Sequence, residues 1–180
     1  MNLETVFETV CQELPKAHVK FLMIGGHAVN YYGYIRATMD VDFMIATDAV
    51  SVVRKVMKNA GFSNISEGEN VILFNHPNSS IRVDFLPIDN ATMTSLLKNS
   101  VNANYSGFSI QVPSLEDLIA MKLFASKNPK RKERDLADIV QLFLENEKHS
   151  SINLKSLCDR FSNQEIFQEL TIRIEESRHA

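Results

Sequence analysis

Three aspartates stand inside apolar runs of this chain, and charge placed that way restricts what the chain can become. The run VKFLMIGG closes on Gly25-Gly26, DVDFMIA opens on Asp40 and Asp42, and IRVDFLP carries Asp84. An unpaired carboxylate is costly to remove from water. Acids in strand-like runs behind a glycine pair therefore need a counter-charge.

The runs themselves read as strands. Residues 40–46 alternate, with Asp40, Asp42 and Met44 on one face and Val41, Phe43 and Ile45 on the other. Residues 19–24, 70–75, 80–86 and 108–112 complete the predicted strands. Between them the periodicity predicts helices over 2–14, stopping near Pro15, and from His27 or Gly26 to Gly33. Two more follow: one capped by Asp48 and closed by Gly61, and one from Asp89 or Asn90 to about Lys98. After Pro113 only helices are expected, over 114–125, 131–146, 152–160 and 163–177. Ser114 and Ser162 open the first and last of these as capping boxes.

Side chains at i and i+2 of a strand share a face, roughly 6.5–7 Å apart along the chain. Asp40 and Asp42 therefore reach the same small volume. With Asp84 on a neighbouring strand, the set suits a phosphoryl-transfer site whose two metals lie about 3.5–4 Å apart. Carboxylate oxygens favour Mg²⁺ or Mn²⁺ over zinc. A lone D-x-D reads equally well as a solvated strand edge; the glycines before it and Asp84 after it weigh against that. Gly25-Gly26 at a strand-to-helix junction lets backbone approach a ligand, and helix N-terminal amides favour anions such as nucleotide phosphates. No G-K-[ST] follows, so this is not a P-loop, nor is it G-x-G-x-x-G.

Apolar strand, G-G, short helix, D-x-D and a third acid on a later strand together resemble the nucleotidyltransferase fold of the DNA polymerase beta superfamily. More narrowly, IGGHAVNYYGYIRATMDVDFMI, with the later MKLFA and RDLADIVQL, resembles AbiEii-type and related bacterial nucleotidyltransferases. These include toxins of toxin–antitoxin systems. The resemblance spans about residues 20–145 and implies an α+β fold: a mixed sheet flanked by helices, residues 1–112, with a helical region, 113–180, packed on it.

It also implies roles. Gly25 and Gly26 hold nucleotide phosphates. Asp40 and Asp42 bind both metals, and Asp84 completes the metal site and helps deprotonate the acceptor. Lys122 is a further nucleotide-binding candidate by the same resemblance, and otherwise reads as an ordinary snorkelling lysine. The insert YGYIRAT by itself offers two more nucleotide-binding candidates: Arg36, which meets a triphosphate or pairs with a surface acid, and Thr38, which caps or hydrogen-bonds near Asp40. Arg134, Asp135 and Asp138 line or brace the cleft, although Arg134 and Asp138 also read as a plain i, i+4 surface pair. Many members have Ser after the first glycine, whereas here Gly26 is followed by His27, which reads as structural.

The implied activity is Mg²⁺- or Mn²⁺-dependent transfer of a nucleoside monophosphate from an NTP such as ATP. The acceptor is open: an RNA end, a protein or a small molecule. A toxin of this kind would have an antitoxin protein as partner. The alternative is a catalytically weak module that binds a nucleotide or a partner in the same cleft.

Bulk properties fit a single globular core with a small appendage: 180 residues, 44% hydrophobic and 23% charged. The net charge of −3 gives no global pull toward nucleic acid. Lys127, Lys130, Arg131, Lys132 and Arg134 form a local basic cluster that reads first as a solvated helix start and otherwise as a guide for RNA or a triphosphate. Cys11 and Cys158 fit no metal or redox spacing and read as reduced thiols. The N-terminus lacks the basic segment of a signal peptide, and no apolar stretch reaches the roughly 18 residues of a membrane helix. A cytoplasmic protein with no membrane partner is expected.

Overall fold

The structure is a computed structural model that describes residues 3–68, 71–105, 107–149 and 151–179. It divides into two compact units. One comprises the chain up to Ala28 together with Arg36–Ser114, and the other joins Val29–Ile35 to the chain from Leu115 onward.

The first unit opens with α1 (Leu3–Lys16), whose Val6, Phe7, Val10 and Leu14 are fully buried. The helix runs past Pro15 rather than stopping before it. Proline in a last turn loses only one donor, and its carbonyl still accepts from His18 N at 2.9 Å. Val19 N reaches back to Leu14 O at 2.9 Å and His18 takes φ 57°, so a Schellman turn with histidine at the left-handed position aims the chain into β1 (Phe21–Ile24). The helix α2 (Gly25–Tyr31) follows directly and crosses from one unit to the other.

The main sheet is completed by β2 (Asp40–Ala46), β3 (Ser63–Gly68), β4 (Val71–Asn75) and β5 (Arg82–Ile88), in the order β1-β2-β5-β4-β3. Only β2 and β5 pair in parallel; β1 on β2, β4 on β5 and β3 on β4 are antiparallel. A parallel neighbour requires a crossover. Here α3 (Val50–Asn59) and the β3–β4 hairpin supply it.

Register at the centre is locked by alternation. Asp42 lies opposite Asp84, and the next pair, Phe43 and Phe85, stacks with ring centroids 5.5 Å apart and planes at 27°. A slip by one residue would exchange acids for phenylalanines on the buried face. Phe7 and Phe74 pack edge-on against this pair, and Leu22, Met23, Ile45 and Met57 fill the remaining core.

Further details differ from the sequence expectations. A short 3₁₀ turn, Thr47–Ala49, precedes α3, and Asp48 does not cap it: its Oδ2 accepts from Asn90 Nδ2 at 2.7 Å. The strands β3 and β6 (Val101–Tyr105) were not expected, because their sequences, SNISEG and VNANY, are polar. Each forms by pairing with a more apolar neighbour, β3 with β4 and β6 with β7 (Phe108–Val112). Between β5 and β6 lies α4 (Asn90–Asn99), where Asp89 is the expected N-cap and accepts from Thr92 N at 2.9 Å.

The second unit holds α5 (Leu115–Ala125), α6 (Lys132–Asn146), α7 (Leu154–Phe161) and α8 (Gln164–His179). Leu118, Ile119, Leu123, Leu136, Ile139, Leu142, Leu157 and Leu170 make its core. The cap of α8 is Asn163, whose Oδ1 accepts from Ile166 N at 3.0 Å, rather than Ser162. Asn146 Nδ2 donates to the Tyr32 carbonyl at 2.8 Å, which ties Val29–Ile35 into this unit. Among the described residues, no helix is long and apolar enough to cross a membrane.

Candidate active site

Parallel pairing of β2 with β5 brings the three acids to one face of the sheet. Asp42 pairs with Asp84, and Asp40 pairs with Arg82. With a period of two, all four side chains share a face opposite Phe43 and Phe85. Arg82 was not among the expected site residues, and it ties the set together. Its Nε donates to both Asp84 oxygens, at 2.9 and 3.1 Å, and its Nη2 donates to Asp40 Oδ2 at 2.6 Å. Asp84 is buried, and burial pushes its carboxyl pKa up. The Arg82 hydrogen bond and charge pull it back, while Asp42 and Asp40 add to the rise.

The glycine pair fits this face through what it lacks. A Cβ on Gly25 would lie 1.9 Å from Asp42 Oδ2, and Gly25 has φ 66°, so both space and backbone demand glycine. A Cβ on Gly26 would lie 2.6 Å from Thr38 Oγ1 and 3.2 Å from Arg36 Nη1. Thr38 thus places a hydroxyl beside the point where a serine side chain at position 26 would begin. That hydroxyl donates to the Asp40 carbonyl at 3.3 Å. Arg36 and Thr38 thus bring a guanidinium and a hydroxyl next to Gly26.

His27, expected to be structural, packs among aromatic rings. It is buried, its ring lies edge-on to Phe7 at 5.7 Å, and its Nδ1 is 2.5 Å from the Tyr105 hydroxyl. Among the described residues its Nε2 meets no hydrogen-bond partner. Burial, and secondarily the charge of Arg36, lower its pKa to about 4, so the ring is neutral at physiological pH.

Among the described residues, no three His, Cys, Asp or Glu side chains are gathered tightly enough to enclose a metal ion. The donor chemistry nevertheless fits a hard divalent cation. Three carboxylates share one face, and a cationic group already rests on two of them.

The second unit holds the other expected residues. Lys122 on α5 is buried, and its Nζ lies 2.9 Å from Asp135 Oδ1 and 2.7 Å from Asp138 Oδ2, both on α6. Arg131 Nε adds an i, i+4 contact to Asp135 Oδ2 at 3.1 Å. Arg134 is exposed on the same helix. This arrangement joins α5 to α6 through the Lys122 ammonium and the Asp135 and Asp138 carboxylates.

A mixed sheet with an aspartate pair on one strand, a third acid on its parallel neighbour and a glycine pair packed against them defines the nucleotidyltransferase fold. Solved structures agree. The antibiotic-resistance factor ANT(2'')-Ia superposes with TM-score 0.64 at 13% identity, covering 98% of this chain and 96% of that one. The lincosamide antibiotic adenylyltransferase LnuA, bound to lincomycin, gives 0.59 at 17% identity over 79% and 96%. An antigenic nucleotidyltransferase-like protein from Paracoccidioides brasiliensis gives 0.57 at 20% identity over 78% and 75%. At these identities the likeness is one of fold. The profile of the family described as "Nucleotidyl transferase AbiEii toxin, Type IV TA system" matches residues 11–169, and the chain belongs to that family. No curated protein matches it in sequence.

Proposed function

We propose that the protein is a divalent-metal-dependent nucleotidyltransferase that moves a nucleoside monophosphate from an NTP to a hydroxyl-bearing acceptor. The observation that carries this reading is the register that sets Asp42 opposite Asp84, with Asp40 on the same face and Gly25 cut back to admit the Asp42 carboxylate. In this reading Asp40, Asp42 and Asp84 would hold Mg²⁺ or Mn²⁺, which supplies Lewis-acid charge stabilisation when bound. Arg36 and Thr38, laid over Gly26, bind the phosphates. Asp84 receives the proton of the acceptor hydroxyl. The acceptor oxygen bonds to the α-phosphorus, the bond from that phosphorus to the bridging oxygen breaks, and pyrophosphate leaves with the electron pair. Lys122, Asp135 and Asp138 act from the helical unit by bracing it, with Arg134 free to face solvent.

The acceptor is an RNA end, a protein or a small molecule. Family membership favours a toxin held in check by an antitoxin protein, and a cytoplasmic site of action is part of the proposal. Incubating the protein with each α-labelled NTP and Mg²⁺, against total RNA and against protein extract, tests the reading. Label should move to one acceptor class, and Asp40→Asn with Asp42→Asn should stop it. Transfer at full rate by that double variant would refute the assignment. The competing reading, a catalytically weak module binding a nucleotide or a partner, draws on the Arg82 bridge across the carboxylates. It would show tight NTP binding with no pyrophosphate released.

A further inference from the structure

Arg82 has two grips of unequal quality. The grip on Asp84 lies within one strand, uses Nε against both oxygens, and ends on a carboxylate whose side chain is only 8% exposed. The grip on Asp40 crosses to the neighbouring strand through Nη2, and both side chains are open to water, at 44% and 40%. Buried charge-assisted bonds are held far more tightly than solvated ones. Carboxylates sharing a face repel one another, and the Arg82 guanidinium lies between two of these, Asp40 and Asp84.

We propose that Arg82 is the built-in counter-cation of this site. It holds Asp40 and Asp84 together while no divalent cation is bound, and it must release Asp40, while keeping Asp84, before one can bind. The proposal rests on the reading of Asp40, Asp42 and Asp84 as metal ligands. Arg82 is therefore a positioning residue that sets how readily the site loads, because its charge and the incoming ion compete for the same carboxylate oxygens.

The test is Mn²⁺ binding to the full chain by calorimetry, comparing wild type, Arg82→Gln and Asp84→Asn. Arg82→Gln should bind Mn²⁺ at least about tenfold more tightly than wild type, since a competing unit charge has gone. Asp84→Asn should lose binding. In EDTA the melting temperature of Arg82→Gln should fall below that of wild type, and saturating Mn²⁺ should close the gap. Equal or weaker Mn²⁺ affinity in Arg82→Gln, with wild type binding normally, overturns the counter-cation role and leaves the metal reading intact. No binding by either protein overturns the metal reading and this inference with it. Should Arg82→Gln fail to fold, the Arg82 guanidinium N–H signals of the wild type decide. Mg²⁺ should shift Nη while the Nε–H stays bonded to Asp84, and unmoved Nη signals overturn the proposal.

Discussion

Each unit of this protein contains a cation set between two aspartates, and the two clusters behave as opposites. Arg82 between Asp40 and Asp84 lies at a half-open face, with only Asp84 shielded. Lys122 between Asp135 and Asp138 is sealed: the three side chains are 6%, 0% and 1% exposed. A sealed ion pair has already met its desolvation cost, and removing one partner strands the other charge. An open pair gains little from its contact and can exchange partners cheaply. The same three charges thus make a fixed joint in one unit and an exchangeable contact in the other.

Breaking the sealed cluster should have the largest effect. Lys122→Met should cost about 3–5 kcal/mol in urea unfolding, by leaving two carboxylates buried without their ammonium. Replacing Asp135 and Asp138 with Leu in the same chain should recover most of it. A loss under about 1 kcal/mol in the single variant would mean that the cluster is not sealed.

Acid probes a third buried polar group, in the unit that holds Arg82. The pKa of His27 is lowered to about 4 in the fold and is about 6.5 unfolded, so the unfolded state takes up the proton first. Its contribution is complete above pH 6.5 and is lost as pH falls toward 4, a change of about 3 kcal/mol. Chemical denaturation at pH 7 and pH 4.5 should show that decline, and His27→Phe should flatten it.

A smaller effect is expected at the edge of the open cluster. Gly25→Ala must displace the Asp42 carboxylate and strain a left-handed backbone, at about 1–2 kcal/mol. Nucleotidyl transfer should fall much further than stability does. Equal transfer rates would show that the position of Asp42 is not critical. The smallest stability change belongs to Asp40→Asn. It breaks an exposed pair and should shift unfolding by less than about 1 kcal/mol, with transfer lost in the same sample. A stability loss as large as that of Lys122→Met would erase the distinction between the clusters.

Much of this was legible in the sequence because alternation has consequences that hold in any sheet. D-V-D places two acids on one side of β2 in the sequence alone, whereas the register that sets Asp42 opposite Asp84 needed the structure. Arg82 carried a readable signal as well. It stands two residues before Asp84, on the same face of the same run, but a charge at a strand start passes for a solvated end until the partner strand is known. The polar strands β3 and β6 have no periodic apolar signal of their own and exist through their neighbours. The pairing of Lys122 with Asp135 and Asp138 depends on how α5 meets α6, which spacing along one helix does not report. The glycine pair reads in the sequence as a site of close approach, and the neighbours that require it, Asp42 at Gly25 and Thr38 with Arg36 at Gly26, are set by the fold.

The path of the chain limits how the protein can be taken apart. It leaves the sheet unit after Ala28, returns at Arg36, and leaves again after Ser114. A protease that nicks the peptide bond after Ser114 therefore does not separate two self-sufficient halves. The longer piece keeps fully buried Val29 and the Tyr32 carbonyl that accepts from Asn146. The shorter piece, made alone, lacks part of its own interior. Such a nicked protein should travel as one particle on a sizing column, and fragment complementation, rather than independent expression, is the way to recover the helical unit.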